Sequence, residues 1–125
     1  MSRYILKITG GTLRGRSLSE KGNSRIRPTS ARVREAIFNM LQEKIVGANV
    51  LDIYAGTGCL SLESLSRGAK QVTLIEKDET ALTLIKKNFF DTQLIARYTL
   101  IKGSSPNALV SLKGPYDLIF ADPPY

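Results

Sequence analysis

The chain has 125 residues, room for one domain with a real core, and no apolar run approaches the ~20 residues of a membrane span. One cysteine, Cys59, and no histidine exclude an internal disulfide framework and leave too few ligands for a zinc site. The net charge of +7 is uneven: residues 1–34 hold nine bases and one acid, whereas residues 35–125 hold nine bases and ten acids. A field concentrated in the first quarter favours a polyanionic partner, with a solvated basic arm as the plainer alternative. Arg3 and Lys7 interrupt the short apolar stretch near the N-terminus, so no signal peptide is read there and a soluble cytoplasmic protein is expected.

Tyr4 to Thr9 alternates loosely, Gly10-Gly11 marks a turn, and Thr12 to Leu18 runs on. This predicts a β-hairpin with Arg14 and Arg16 on its second strand. Ser19 to Arg27 is polar and contains glycine, so it reads as a flexible loop. Pro28 holds Arg27 extended and leaves a helix free to start just after it. Val33, Ile37, Met40, Leu41 and Ile45 recur at helical spacing and predict one buried stripe, with Arg32, Arg34 and Glu35 off it. A basic extension, 1–28, thus precedes a domain, 29–125.

From Asn49 short apolar runs alternate with helical stretches. Strands are predicted over 50–54, 72–76, 98–102 and 118–121. Helices are predicted over 60–67, with Gly68 as the C-cap, and over 79–90, with Leu82, Ile85 and Phe89 on one face. Ser105-Pro106 reads as an N-cap followed by proline at the first helical position, opening a short helix to Leu112. Strands alternating with helices give an α/β fold, a doubly wound Rossmann-like parallel sheet with helices on both faces.

Ligands of such sheets bind at the carboxyl ends of the strands. "LDIYAGTG", Leu51 to Gly58, ends the first strand with an acid, Asp52, and a loop carrying Gly56 and Gly58. A dinucleotide fingerprint needs a third glycine three residues on, where Ser61 stands, and no P-loop lysine follows. That argues against a nicotinamide-dependent oxidoreductase. A nucleoside with a cationic tail suits the acid and the bare loop better than a phosphate does; a tight turn with Asp52 as a local cap is the alternative. Glu76 ends the second strand eighteen residues beyond Gly58, a spacing that suits an acceptor for two ribose hydroxyls. In "IKGSS" after the third strand, Ser104 is either a ligand contact or part of an ordinary turn.

"DPPY", Asp122 to Tyr125, ends the fourth strand. Prolines lack an N–H, so a Pro-Pro step presents carbonyl oxygens without competing donors. An acid oxygen and a proline carbonyl can hold both hydrogens of an exocyclic amine, and Tyr125 can stack on the base that bears it. A nucleobase amine is a weak nucleophile, and acceptors placed around it favour the charge that develops as it attacks.

Together these motifs resemble the class I S-adenosylmethionine-dependent methyltransferases. "ITGGTLRGRSL", "RPTSARVREAIFNML" and "SLESLSRGA" narrow the resemblance to the bacterial RsmD-like family, which methylates the N2 amine of a guanine in 16S ribosomal RNA. The similarity runs from about Ile8 to Tyr125. It implies that Asp52, Tyr54, Ala55, Gly56 and Gly58 line the methionine and ribose side of S-adenosylmethionine. It implies that Glu76, with Lys77 beside it, takes the ribose hydroxyls, and that Ser104 stands at the adenine position. Asp122, Pro123 and Tyr125 are the implied catalytic set around a flipped guanine. Arg14, Arg16, Arg27, Arg32 and Arg34 are the implied grip on RNA phosphates, in naked rRNA or an assembling small subunit.

The sequence departs from the family in two places. Ser104 stands where the family usually carries an acid for the adenine amine. Family members also continue past DPPY with another helix and further strands, so the domain is expected to be C-terminally incomplete, with the edge of the fourth strand open to self-association. The competing expectation is a fragment that binds RNA without transferring a methyl group.

Overall fold

A computed structural model of the chain describes residues 6–19, 31–94, 97–104 and 107–123. Four strands, β1 (Asn49–Ile53), β2 (Gln71–Glu76), β3 (Tyr98–Lys102) and β4 (Leu118–Ala121), pair in parallel in the order β3-β2-β1-β4. Asp52 lies opposite Leu74 of β2 and Phe120 of β4, so β1 is central and paired on both sides. The chain winds outward from β1 to β3 and then returns to the far side of β1. The order therefore switches between β1 and β4, where an open sheet leaves a crevice at its carboxyl end.

Three helices, α1 (Ala31–Leu41), α2 (Cys59–Ser66) and α3 (Glu79–Asp91), contribute to a single hydrophobic cluster on one face of the sheet. It contains Phe38, Val50, Leu62, Leu65, Val72, Leu74, Ile85 and Phe89. Each such side chain taken out of water contributes about 1.5–3 kcal/mol. All eight residues of α2 are buried, so this helix lies inside the molecule, and it shows no sided pattern because both of its sides are covered. The N-terminal segment supplies part of that cover through Leu6, Ile8 and Leu18, which join the same cluster. On the opposite face, Leu51 and Ile75 pack with Ala108 of a 3₁₀ turn, Asn107–Ser111.

The alternating strands and helices predicted from sequence are present, with bounds shifted by a residue or so. Arg67 caps α2, and Gly68, expected as the cap, stands one residue later at φ +110°, a backbone conformation that favours glycine. Three expectations need correction. The stripe expected on α1 is rotated: Val33 and Met40 are 50% and 85% exposed, while Arg34 and Phe38 are buried. Residues 34, 38, 41 and 45 form the neighbouring stripe at the same spacing. The bulk of Phe38, which packs on Phe120 at 5.5 Å between ring centroids, selects it.

The hairpin is shorter than expected. Lys7 and Ser17 form one antiparallel bridge, and Ile8 and Leu18 add backbone bonds to Arg16 and Leu6. Residues 9–15 make a wide loop, because the Thr12 N–H turns to the carbonyl of Ser66 on α2 (2.8 Å) instead of to a hairpin partner. Arg14 is therefore in the loop. The short helix expected up to Leu112 is a 3₁₀ turn among the described residues, so the second face of the sheet carries no α-helix there. The expected 19–27 loop lies outside the described residues apart from Ser19. Among those residues β4 pairs with β1 alone, and Ile119 is 60% exposed. No described helix is long and apolar enough to cross a membrane.

Candidate functional site

β1 ends abruptly. Tyr54 takes φ +63°, Gly56 φ +59° and Gly58 φ +82°, so the chain reverses within five residues and enters α2. Glycine tolerates that region freely, whereas a tyrosine there is strained, and such strain collects at functional loops. Tyr54 is also 40% exposed, so its ring stands at the surface beside the loop. A β-carbon on Gly56 would meet nothing within 4 Å, which leaves the outer side of the loop open to a ligand.

Glu76, at the tip of the adjacent β2, fastens this loop. Its Oε1 accepts the Gly56 N–H at 2.8 Å, and its Oε2 accepts the N–H groups of Lys77 and Asp78, each at 3.0 Å. The carboxylate is half-buried and fixed in direction, with acceptor capacity left on Oε1. Lys77 itself is exposed. Asp78 caps α3 by accepting the Ala81 N–H at 2.9 Å.

Asp52 is 1% exposed and accepts the Ser61 hydroxyl of α2 at 2.7 Å. Its carboxyl is pushed from 3.8 up to about 7. Burial is the main cause, opposed by the Ser61 bond and reinforced by the negative charges of Glu76 and Asp122. Those two side chains, from the ends of β2 and β4, are thus close enough to act on Asp52. Asp122 is exposed and Pro123 half-buried, directly after Ala121, which pairs with Ile53 of β1. No strand separates the acid of β4 from the glycine loop of β1. Ser104 is exposed after β3, and its carbonyl accepts the Ala108 N–H at 3.0 Å, the bond of an ordinary turn.

The structure therefore brings Asp52, Tyr54, Ala55, Gly56, Gly58, Glu76, Lys77, Asp122 and Pro123 to one end of the sheet, at its switch point. Tyr125 and Arg27 lie outside the described residues. Ala55 is buried, so only its backbone is available, and Asp52 lies inside the protein behind the loop. A groove of about 300 Å³ lined by Glu79, Leu82, Thr83, Lys86, Leu100 and Lys102 shares no residue with this site.

Of the basic residues, Arg14 and Arg32 are exposed, and the exposed Arg16 reaches the carbonyl of Asp91 at the end of α3. Arg34 requires a correction. It is 1% exposed, its Nε donates to Glu63 at 3.0 Å, and its Nη2 donates to the carbonyl of Lys7. It holds the interior together and is not placed to touch a phosphate.

The partner that makes this burial tolerable, Glu63, is not among the residues expected from sequence. Its carboxylate also accepts Arg67 Nε at 2.8 Å and the N–H groups of Thr9 and Gly10, both at 2.9 Å. Burial pushes the Glu63 carboxyl up, but the bonds from Arg67, Thr9 and Arg34 outweigh it and hold the group below its usual range. Ser61 is a second such residue. Glu63 has one local partner, the i,i+4 Arg67, but the partners that bury it, Arg34, Thr9 and Gly10, are distant in the chain, and Ser61 lies in a helix buried on all sides.

An open parallel sheet with a glycine loop after β1, an anchored acid after β2 and an Asp-Pro step after β4 is the arrangement of a class I methyltransferase. Comparison with known proteins agrees. The family model described as "Conserved hypothetical protein 95" matches residues 6–125. The ribosomal RNA small subunit methyltransferase D of Escherichia coli (strain K12) is 40% identical over 121 residues, 96% of this chain and 60% of that protein. The protein of the same name from Haemophilus influenzae is 37% identical over 125 residues, 96% of this chain and 64% of that protein. The solved structure of yhhF from Escherichia coli superposes with a TM-score of 0.83 at 36% identity, covering 97% of this chain and 65% of that one. The chain belongs to the RsmD-like methyltransferase family, and it spans about 60% of the length of the curated relatives it matches.

Proposed function

We propose that this chain forms the cofactor- and amine-holding part of an S-adenosylmethionine-dependent methyltransferase acting on the N2 amine of a guanine in 16S ribosomal RNA. The observation that carries the reading is the meeting of Asp52, Glu76 and Asp122 at the switch point of a sheet whose relatives are rRNA methyltransferases. The residues present suit that cofactor. Glu76 offers an oriented carboxylate to hydroxyl donors, and the open side of Gly56 admits a close ligand. The acidic set complements a cationic sulfonium and ammonium. When bound, the cofactor supplies an electrophilic methyl group.

The chain's own residues do the rest. Glu76 holds hydroxyls, and the backbone of 54–58 shapes the pocket. Asp52 contributes negative charge from behind the loop when it is ionised. Asp122 and the carbonyls of the Asp-Pro-Pro step accept the two amine hydrogens, turning the nitrogen lone pair towards the pocket, and Tyr125 stacks on the base. Positioning is the main contribution to rate. Arg14, Arg16, Arg27 and Arg32 bind RNA phosphates, and Arg34 supports them from within.

The test is incubation of unmethylated 16S rRNA and labelled S-adenosylmethionine with this chain, alone and extended to the length of its relatives, followed by mass mapping. Label on the N2 of one guanine is expected. RNA binding with a steep salt dependence but no transfer by either protein would instead make it an RNA-binding module.

A further inference from the structure

Asn88 lies on the buried side of α3 and is 1% exposed. Its amide reaches two segments far apart in the chain. Nδ2 donates to the carbonyl of Ser19 at 3.0 Å and to the carbonyl of Thr57 at 3.1 Å, while Oδ1 accepts the Ser19 N–H at 2.8 Å. Both amide hydrogens are committed to carbonyls, which fixes the orientation of the group. Ser19 is the last described residue of the basic N-terminal segment, and Arg16 just before it is tied to Asp91 one turn along α3. Thr57 is the middle of the Gly56-Thr57-Gly58 turn. The peptide between Thr57 and Gly58 is held at both ends: its carbonyl by Asn88 and its N–H by the carbonyl of Ala55 at 2.9 Å.

We infer that Asn88 is a positioning residue that couples the cofactor loop to the RNA-binding segment, so that occupation of one strengthens binding at the other. The inference rests on the functional reading above and adds a linkage to it. The physical basis is that one rigid, buried amide has no slack. If the Thr57 carbonyl or the Ser19 backbone moves, a buried donor or acceptor is left without its partner. A ligand that holds the glycine turn in place therefore also holds Ser19, near the Arg16 that the reading assigns to RNA. By linkage the effect is reciprocal.

The test measures affinity of the intact chain for a fluorescein-labelled, guanine-containing RNA stem-loop by anisotropy, with and without saturating S-adenosylhomocysteine. Wild type is expected to bind RNA at least about fivefold tighter with the nucleoside present. Asn88→Asp keeps the acceptor for Ser19 but loses both donated bonds, and its ratio should fall towards one. Ser19→Pro removes the N–H that meets Oδ1 and fixes φ at residue 19, leaves Thr57 on Asn88, and should lower the ratio with nucleoside affinity unchanged. This second variant decides the matter if Asn88→Asp does not fold. A wild type that binds both ligands with a ratio near one, or a variant that keeps the wild-type ratio, overturns the coupling. A wild type that binds neither ligand overturns the functional reading and the coupling with it.

Discussion

Asp52→Asn separates the charge of this side chain from its shape. The carboxyl rises from 3.8 to about 7 on folding, first because burial penalises the charged form and then because Glu76 and Asp122 repel it. A carboxyl whose value is raised by folding holds a proton that the unfolded chain has released. Its stabilising contribution is therefore complete below about pH 4 and is lost as pH rises through about 7. A shift of that size corresponds to about 4 kcal/mol, of which about 3 kcal/mol falls between pH 5 and pH 8. Asparagine is neutral throughout and can still accept the Ser61 hydroxyl. Glu63, held below its usual range, loses its contribution only at more acidic pH and does not interfere in this window. Urea unfolding at pH 5 and pH 8 should show the wild type losing about 3 kcal/mol more stability between the two pH values than Asp52→Asn does. The same charge acts on a cationic ligand, so S-adenosylmethionine should bind the variant more weakly at pH 8 and equally at pH 5. Parallel stability profiles across the two pH values would refute the assignment of a buried, proton-holding Asp52.

Glu63→Gln removes the charge that neutralises Arg34 in the interior and should cost about 3–5 kcal/mol in urea unfolding. Gly11→Ala places a β-carbon 1.9 Å from the Ser66 carbonyl at φ +80°, whereas Gly15→Ala at φ +84° meets nothing within 4 Å. The second should cost about 1–2 kcal/mol for its backbone alone. The first should add about 1–3 kcal/mol of crowding and speed hydrogen exchange at Thr12 and Leu13.

Much of the sheet was legible in the sequence because its signals are local. Val50 to Ile53 and Val72 to Ile75 are β-prone stretches of strand length, each holding three aliphatic residues and followed by an acid or glycine within a few residues. The switch-point acids could be placed because each lies within a residue or so of a strand's carboxyl end. The misses have a common cause in partners far away in the chain. Nothing near Arg34 announces Glu63, 29 residues on, so a charged residue reads as solvent-facing and the apolar stripe expected on α1 falls one position off. The hairpin failed similarly: Thr12 has an equally good partner in Ser66, 54 residues away, and the loop widened to reach it. Asn88 falls in step with Leu82 and Ile85, so its burial was readable from spacing, but its two backbone partners were not.

The central claim is that the carboxyl ends of β1, β2 and β4 form one ligand pocket. An amide-resolved NMR titration of the ¹⁵N-labelled chain with S-adenosylhomocysteine tests it most directly. Saturable shifts at Gly56, Gly58, Lys77 and Asp122, with Thr83, Lys86 and Leu100 unmoved, are predicted. Shifts centred on the groove between α3 and β3, or none anywhere at millimolar ligand, would contradict it.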